Sequence, residues 1–217
     1  MKMLAVEFSS DHRSVAVLDG ENLLAEKTIT EGRNTAAVQL IEETLTAAKT
    51  SRPEIECIAV GIGPGSYTGI RAAIALTQGW QLAAGVKVQA ADSLEALALG
   101  RQIAGDRGEI TFAVDAARGE FYLAKFELEN EGIRNIEPTR LAKRDEFEAL
   151  LESGKPVIGP SLAGKYPAVM EQFPSAEFVG RLAARRVEFV EASELEPVYL
   201  RQIDFVKAPP LREIPPA

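Results

Sequence analysis

The chain has 217 residues, of which 46% are hydrophobic, so it can form one domain or two small lobes without cross-links. Its net charge of −8 argues against tight nucleic-acid binding by this chain alone, because such binding needs Lys and Arg to neutralise several phosphates. A single cysteine, Cys57, excludes an internal disulfide framework. With no signal-peptide pattern and no apolar run of about 20 residues, we expect a cytoplasmic protein without membrane contact.

The first half alternates strand and helix patterns. Apolar runs predict strands at 4–8, 14–18 and 23–29, the last two joined at an Asp19-Gly20 turn. Helical spacing of apolar residues predicts a helix at 35–49, capped by Asn34 or Thr35. A buried strand at 55–62, a helix at 69–84, a strand at 86–90 and a helix at 93–103 follow. The order βββαβαβα indicates an α/β lobe covering residues 1–104.

The second half looks like a shortened echo of the first. Strands are predicted at 110–114, 121–128, 133–141 and 156–158, with helices around 147–151 and at 178–190. We therefore place a smaller second lobe at 105–206. The prolines of 207–217 predict an extended or disordered tail.

The stretch from Gly61 to Arg71 joins the central strand to a helix and has glycine at 61, 63, 65 and 69. Ser66 and Thr68 are both candidates to cap the helix. Such a turn can aim amides at a phosphate or carboxylate, but it lacks the Lys of a Walker A loop and the spacing of a dinucleotide fingerprint. The alternative is that the glycines only permit positive φ and close packing. We favour this second interpretation, in which the turn sets where the helix starts.

Few side chains suggest chemistry. His12 is the sole histidine and has no second ligand at metal-binding spacing, so we interpret it as a solvated loop residue. Asp11 and Asp92 are interpreted as turn residues, whereas the roles of Glu7 and Asp115 stay open. Glu7, Asp115 and Glu120 lie at strand ends, and the basic trio Arg181, Arg185 and Arg186 is expected on a solvated helix face. We predict no catalytic residue and no metal ligand in this chain.

The helix at 69–84 is apolar and small-sided over more than one face. One face can cover the sheet while another meets a second helix pair, which suggests a protein partner.

Three segments resemble one family. Gly63-Pro64-Gly65-Ser66-Tyr67-Thr68-Gly69-Ile70-Arg71 is similar to the GPGSFTGLR signature of the TsaB (YeaZ) family. The segment from Asp115 to Tyr122 resembles that family's DARRGEVY, and the segment from Glu196 to Arg201 resembles its EPVYLR. Met3 to Phe8 stands where the family begins LAIDT, so the resemblance spans nearly the whole chain in order.

The resemblance implies the actin, sugar-kinase and Hsp70-like (ASKHA) fold and a partnership. Proteins of this family pair with their paralogue TsaD, which holds the metal and transfers threonylcarbamoyl to the adenine next to the anticodon in tRNAs reading ANN codons. The ATPase TsaE joins the pair, and a separate enzyme makes threonylcarbamoyl-AMP. The implied role here is a non-catalytic scaffold without its own cofactor or activity, which reaches tRNA indirectly through the complex.

Two positions depart from the family pattern. Glu7-Phe8 replaces an Asp at the first strand end, and Asn34-Thr35 replaces a His-containing pair. Both departures weaken catalytic competence, although a nucleotide between the lobes stays an open alternative.

We therefore predict that the helices at 35–49 and 69–84 pack against the equivalent helix pair of TsaD as a four-helix bundle. When the chain is alone, the same surface can pair with a second copy. The contact candidates are Ala37, Leu40, Ile41, Ile70, Ala73, Leu76 and Trp80. The competing hypothesis is a catalytically active metallopeptidase or small-molecule kinase of the same fold.

Overall fold

The computed structural model describes residues 1–30 and 37–200. The first half contains five strands and three helices in the predicted order βββαβαβα. These are β1 (Lys2–Glu7), β2 (Arg13–Asp19), β3 (Asn22–Ile29), α1 (Ala37–Ala47), β4 (Cys57–Gly61), α2 (Tyr67–Ala84), β5 (Lys87–Ala91) and α3 (Ser93–Ile103). The expected caps Asn34 and Thr35 and the tail 207–217 lie outside the described residues, as does Arg201.

The second half has five more strands and two helices. These are β6 (Gly108–Asp115), β7 (Glu120–Glu129), β8 (Gly132–Lys143), α4 (Arg144–Glu152), β9 (Val157–Gly159), β10 (Val169–Glu171) and α5 (Ala176–Ala184). Short 3₁₀ turns lie at Arg52–Glu54 and Ala192–Glu194. In the described parts of the chain no helix is long and apolar enough to cross a membrane.

The two five-stranded sheets have the same topology. The first has the order β3-β2-β1-β4-β5 and the second the order β8-β7-β6-β9-β10. In each, the first three strands are antiparallel and the last two run parallel to the central strand. The second half therefore repeats the first without a helix between its last two strands, which confirms the predicted echo.

The central strand β1 shows why both faces of the first sheet are covered. Leu4 and Val6 belong to the apolar cluster beneath α1 and α2, whereas Met3 and Ala5 on the opposite face belong to the cluster with α5. A strand with two buried faces needs a continuous apolar sequence, as found here.

One helix of each repeat packs on the sheet of the other. Helix α3 lies on the second sheet, with Leu94, Leu97 and Ala98 in its core, while α5 covers the first sheet through Val179 and Leu182. Helix α5 falls within the predicted second lobe, 105–206, yet it buries its apolar face on the first sheet.

The predicted helix at 178–190 is wrong at its end, since α5 stops at Ala184. The residues beyond it are held extended by the first sheet. The side-chain amide of Gln89 donates to the carbonyls of Arg186 and Glu188, each at 3.0 Å, and the Val190 amide donates to the Val88 carbonyl at 2.9 Å. We call residues 186–200 the C-terminal strap.

Candidate functional site: the glycine loop and the α1–α2 face

The stretch from Gly61 to Arg71, which we call the glycine loop, packs with its backbone directly against the backbone at the end of β1. The Ser66 amide donates to the Ser9 carbonyl at 2.7 Å, and Ser66 Oγ accepts from the Gly69 amide at 3.3 Å, so Ser66 rather than Thr68 caps α2. A Cβ on Gly65 would lie 2.1 Å from the Ser9 carbonyl oxygen, and one on Gly69 would lie 2.0 Å from that of Phe8. Only glycine allows this approach.

Glu7 and Ser93 complete a buried polar junction beneath the loop. Glu7 is fully buried, and its carboxylate accepts from the Ser9 amide at 2.6 Å and from Ser93 Oγ at 2.7 Å. Ser93 is joined to Gly63 through two further hydrogen bonds, of 2.8 Å and 3.2 Å. Burial raises the pKa of Glu7, against the hydrogen bonds from Ser9 and Ser93. Gly61 makes room for the carboxylate, because a Cβ there would lie 2.1 Å from Glu7 Oε2.

The remaining motif residues have structural or surface positions. Pro64 is buried and follows a cis peptide bond, whereas Tyr67 and Thr68 are exposed at the start of α2. The Arg71 guanidinium donates to the Tyr67 hydroxyl and lies 5.0 Å from the centre of its ring. The sequence does not predict the roles of Ser9 and Ser93. Neither belongs to a recognisable motif, and only the fold brings both to the Glu7 carboxylate.

The other candidate residues do not converge on one site. His12 is half-buried and stacked on Phe173 with ring centres 3.5 Å apart, so one face of its ring is covered while the residue stays partly exposed. Asp92 caps α3 by accepting from the amides of Leu94 and Glu95, which confirms its turn role.

Asp11 and Asp115 make local contacts, the first with Ser161 Oγ at 3.4 Å and the second with the Ala117 amide at 2.6 Å. The basic trio does not share one helix face, because only Arg181 lies within α5, and all three residues are engaged in ion pairs. These join Arg181 to Glu177, Arg185 to Glu21 and Arg186 to Glu95. Within residues 1–30 and 37–200, no three His, Cys, Asp or Glu side chains are grouped closely enough to hold a metal ion.

The seven partner-contact candidates belong to one apolar cluster between the sheet and helices α1 and α2. Four of them, Leu40, Ile41, Ile70 and Ala73, are at most 3% exposed. Their side chains are buried in the core of this chain, so they have no exposed surface with which to contact a partner. Ala37, Leu76 and Trp80 are partly exposed.

An apolar groove of about 650 Å³ lies between α1 and α2. Trp80 and Leu76 line it from α2, and Val38, which is 56% exposed, lines it from α1. The outward face of α2, which we define as Ala75, Gly79 and Ala83, forms its small-sided edge. These three residues are exposed and follow each other at steps of four along the helix.

The repeated sheet topology and the loop between β4 and α2 define a class of two-lobed α/β protein with the ASKHA fold. A family model described as "TsaD: tRNA N6-adenosine threonylcarbamoyltransferase" matches residues 32–208. The solved structure of YeaZ from Pseudomonas aeruginosa superposes with a TM-score of 0.78 at 26% identity, covering 92% of this chain and 99% of that one.

Two curated relatives carry the description "tRNA threonylcarbamoyladenosine biosynthesis protein TsaB". The Escherichia coli K12 protein is 28% identical over 68% of this chain, and the match spans 64% of its own length. The Bacillus subtilis 168 protein is 29% identical over 73% of this chain and 69% of its own length. The chain belongs to the TsaB (YeaZ) family.

Proposed function

We propose that this chain is a non-catalytic subunit that pairs with a TsaD paralogue for threonylcarbamoyl transfer to N6 of the adenine next to the anticodon in tRNAs reading ANN codons. The names of its TsaB relatives support a role in making threonylcarbamoyladenosine. In this proposal the partner subunits TsaD and TsaE handle metal and ATP, and tRNA is reached only through the complex.

The outward face of α2 carries this proposal. A glycine inside a helix costs about 1 kcal/mol relative to alanine. A Cβ on Gly79 would meet nothing within 4 Å, so packing within the described chain does not require a glycine there. Close approach by a helix from another protein does account for it, because small residues at steps of four let two helix backbones come together.

The groove beside this face supplies the apolar area for such a contact. Trp80 lies in the groove next to Leu76, and large aromatic side chains in a pocket are typical anchors of protein interfaces. A helix pair of the paralogue laid across α1 and α2 would cover the groove and complete a four-helix bundle. When the chain is alone, a second copy can cover the same face through a twofold contact.

The glycine loop supports a scaffold rather than a phosphate-binding enzyme. Two amides at the start of α2 are already bonded to Ser9 and Ser66. The Glu7 carboxylate at the end of β1 is closed in by Ser9, Ser93 and Gly61. The loop thus fixes where α2 begins, and with it the position of the outward face.

The test places a long charged side chain on the outward face without disturbing the core. Ala75→Arg and Ala83→Arg, both at exposed positions, are expected to weaken binding to the purified TsaD paralogue by about tenfold or more, because an unpaired charge would be buried at the contact. Isothermal titration calorimetry measures the loss. Ala149→Arg, at an exposed position of α4 in the other sheet's layer, is the matched control and should bind normally.

Unchanged affinity in both α2 variants would refute the interface. The role itself is tested separately by depleting this protein in cells. We expect threonylcarbamoyladenosine to vanish from tRNA while synthesis of threonylcarbamoyl-AMP continues, and tRNA that stays fully modified would refute the proposed function.

A further inference from the structure

A second surface site lies where the C-terminal strap crosses α2. Two glutamines of α2 hold the strap at one residue: Gln78 Nε2 donates to the Ala192 carbonyl at 3.0 Å, and Gln81 Oε1 accepts from the Ala192 amide at 2.8 Å. Further along, the Val198 amide donates to the Ile62 carbonyl at 2.9 Å. The strap therefore reaches the glycine loop in a fixed register, and Tyr199 is brought beside Tyr67.

The strap and α2 enclose a notch of about 420 Å³, which we call the tyrosine notch. Its lining combines aromatic rings, one cation and one proline: Tyr67, Arg71, Ile74, Ala75, Gln78, Leu195, Pro197 and Tyr199. Tyr67 is 54% exposed and Tyr199 38%, with ring centres 5.0 Å apart and planes inclined by 46°. Two large rings stand partly open to solvent, although their apolar area favours burial.

This lining fits one kind of ligand best. Proline-rich segments bind in aromatic-lined grooves, because their extended helix is preformed and costs little entropy to order. Inclined tyrosine rings offer flat apolar walls to the pyrrolidine rings, while their hydroxyl groups and an arginine can bind the free carbonyls of such a segment.

The chain itself carries a segment of this kind directly after the strap. The described residues end at Leu200, next to the notch, and the sequence continues to Ala208-Pro209-Pro210-Leu211-Arg212-Glu213-Ile214-Pro215-Pro216. The seven residues 201–207 that link the strap to this segment can span up to about 25 Å, which allows the prolines to turn back onto the notch. A tether this short gives an effective concentration in the millimolar range, so weak contacts suffice for docking.

We propose that the tyrosine notch is a docking site for residues 208–216 of the same chain. Glu213 can pair with Arg71 of the notch, and with Arg212 beside it the segment carries no net charge. The proposal does not rest on the identity of the paralogue. Since Ala75 belongs to both the notch and the outward face of α2, the docked segment would cover one end of that face until a partner displaced it.

Paramagnetic broadening in the full chain tests the docking. A spin label is attached at Ala217→Cys, since the native Cys57 is buried and burial raises the pKa of its thiol to about 12, which keeps it unlabelled. We expect the largest loss of amide signal at notch residues such as Ala75 and Gln78, relative to the reduced label. Amides of α4, in the other sheet's layer, should keep their intensity.

Matched variants identify the contact. Pro209→Ser with Pro210→Ser, and separately Tyr67→Ser, should abolish the selective broadening, whereas Leu82→Ser, at a 91% exposed position of the same helix, should preserve it. Broadening spread evenly over the surface, or unchanged in the proline variant, would overturn the proposal. So would broadening seen only when spin-labelled chains are mixed with isotope-labelled ones, because that result would assign the docking to a second copy.

Discussion

Glu7 explains how this chain tolerates a longer acid at the end of its central strand. Its carboxylate extends over Gly61, where any Cβ would collide with it, and is met by the Ser9 amide and the Ser93 hydroxyl. A buried carboxyl group is costly unless it is hydrogen-bonded, and these two donors offset part of that cost. Glu7, Gly61 and Ser93 therefore act as one unit that holds three segments of the chain together.

Two glycines of α2 should respond to the same substitution with opposite sign. In Gly69→Ala the new Cβ would lie 2.0 Å from the backbone oxygen of Phe8, so we expect a loss of stability of about 2–3 kcal/mol. In Gly79→Ala the Cβ enters open space, and the better helix propensity should add about 1 kcal/mol. Urea unfolding followed by circular dichroism measures both. A stable Gly69→Ala variant would show that the loop does not need its close contact with β1.

Asp92 should make stability depend on pH between about 4 and 6. Burial raises its pKa from 3.8 to about 6, against the hydrogen bonds from Glu95 and Leu94. The folded chain then binds a proton that the unfolded chain has released, so stability falls as pH rises through this window and the loss persists at neutral pH. A pKa shift of this size corresponds to a loss of unfolding free energy on the order of 3 kcal/mol between acid and neutral pH.

Asp92→Asn isolates this contribution, because an amide oxygen still caps α3 but cannot ionise. Unfolding free energies measured from pH 4 to pH 7 should decline less in the variant than in the native protein. Parallel curves for the two proteins would contradict the assignment.

Among the helices and strands, the sequence predicts those that are marked by signals within their own residues. The helix at 93–103 is confirmed residue for residue, and the strands of the first lobe agree within a few residues, because apolar periodicity and caps mark them. The sequence does not predict β10, since its three residues lie between prolines and pair as a strand with β9. Its existence depends on a partner strand that no local pattern shows.

The candidate site shows the same limit. The glycine motif correctly marked the start of α2, yet the alternation of apolar residues could not tell core from surface on that helix. Ile70 and Ala73 fit a partner face by composition, but the sheet buries them, while exposed Ala75 and Gly79 were left out. The start of the strap, up to Val190, is predicted as helix because its extended shape depends on Gln89, almost a hundred residues earlier.

The whole molecule is tied together by the exchange of α3 and α5 between the two sheets. Each sheet lacks a cover on one face until the helix of the other repeat packs on it. The helices also contact each other, and a Cβ on Gly100 of α3 would lie 2.7 Å from the Phe178 ring of α5. Because neither half can bury its apolar faces alone, we expect the described parts of the chain to unfold as a single cooperative unit.

Gly180→Leu tests this coupling. Gly180 lies on α5, and a Cβ there would be 2.4 Å from Leu18 of the first sheet, so the substitution should cost about 1–3 kcal/mol. If the exchanged helices join the two sheets, amide hydrogen exchange should show the same loss of protection in β1 of the first sheet and in β7 of the second. Gly164→Leu, at a loop position with nothing within 4 Å of a Cβ, should leave both unchanged. Loss confined to β1 would mean that the second sheet is stable without the first, and that the helix exchange does not couple them.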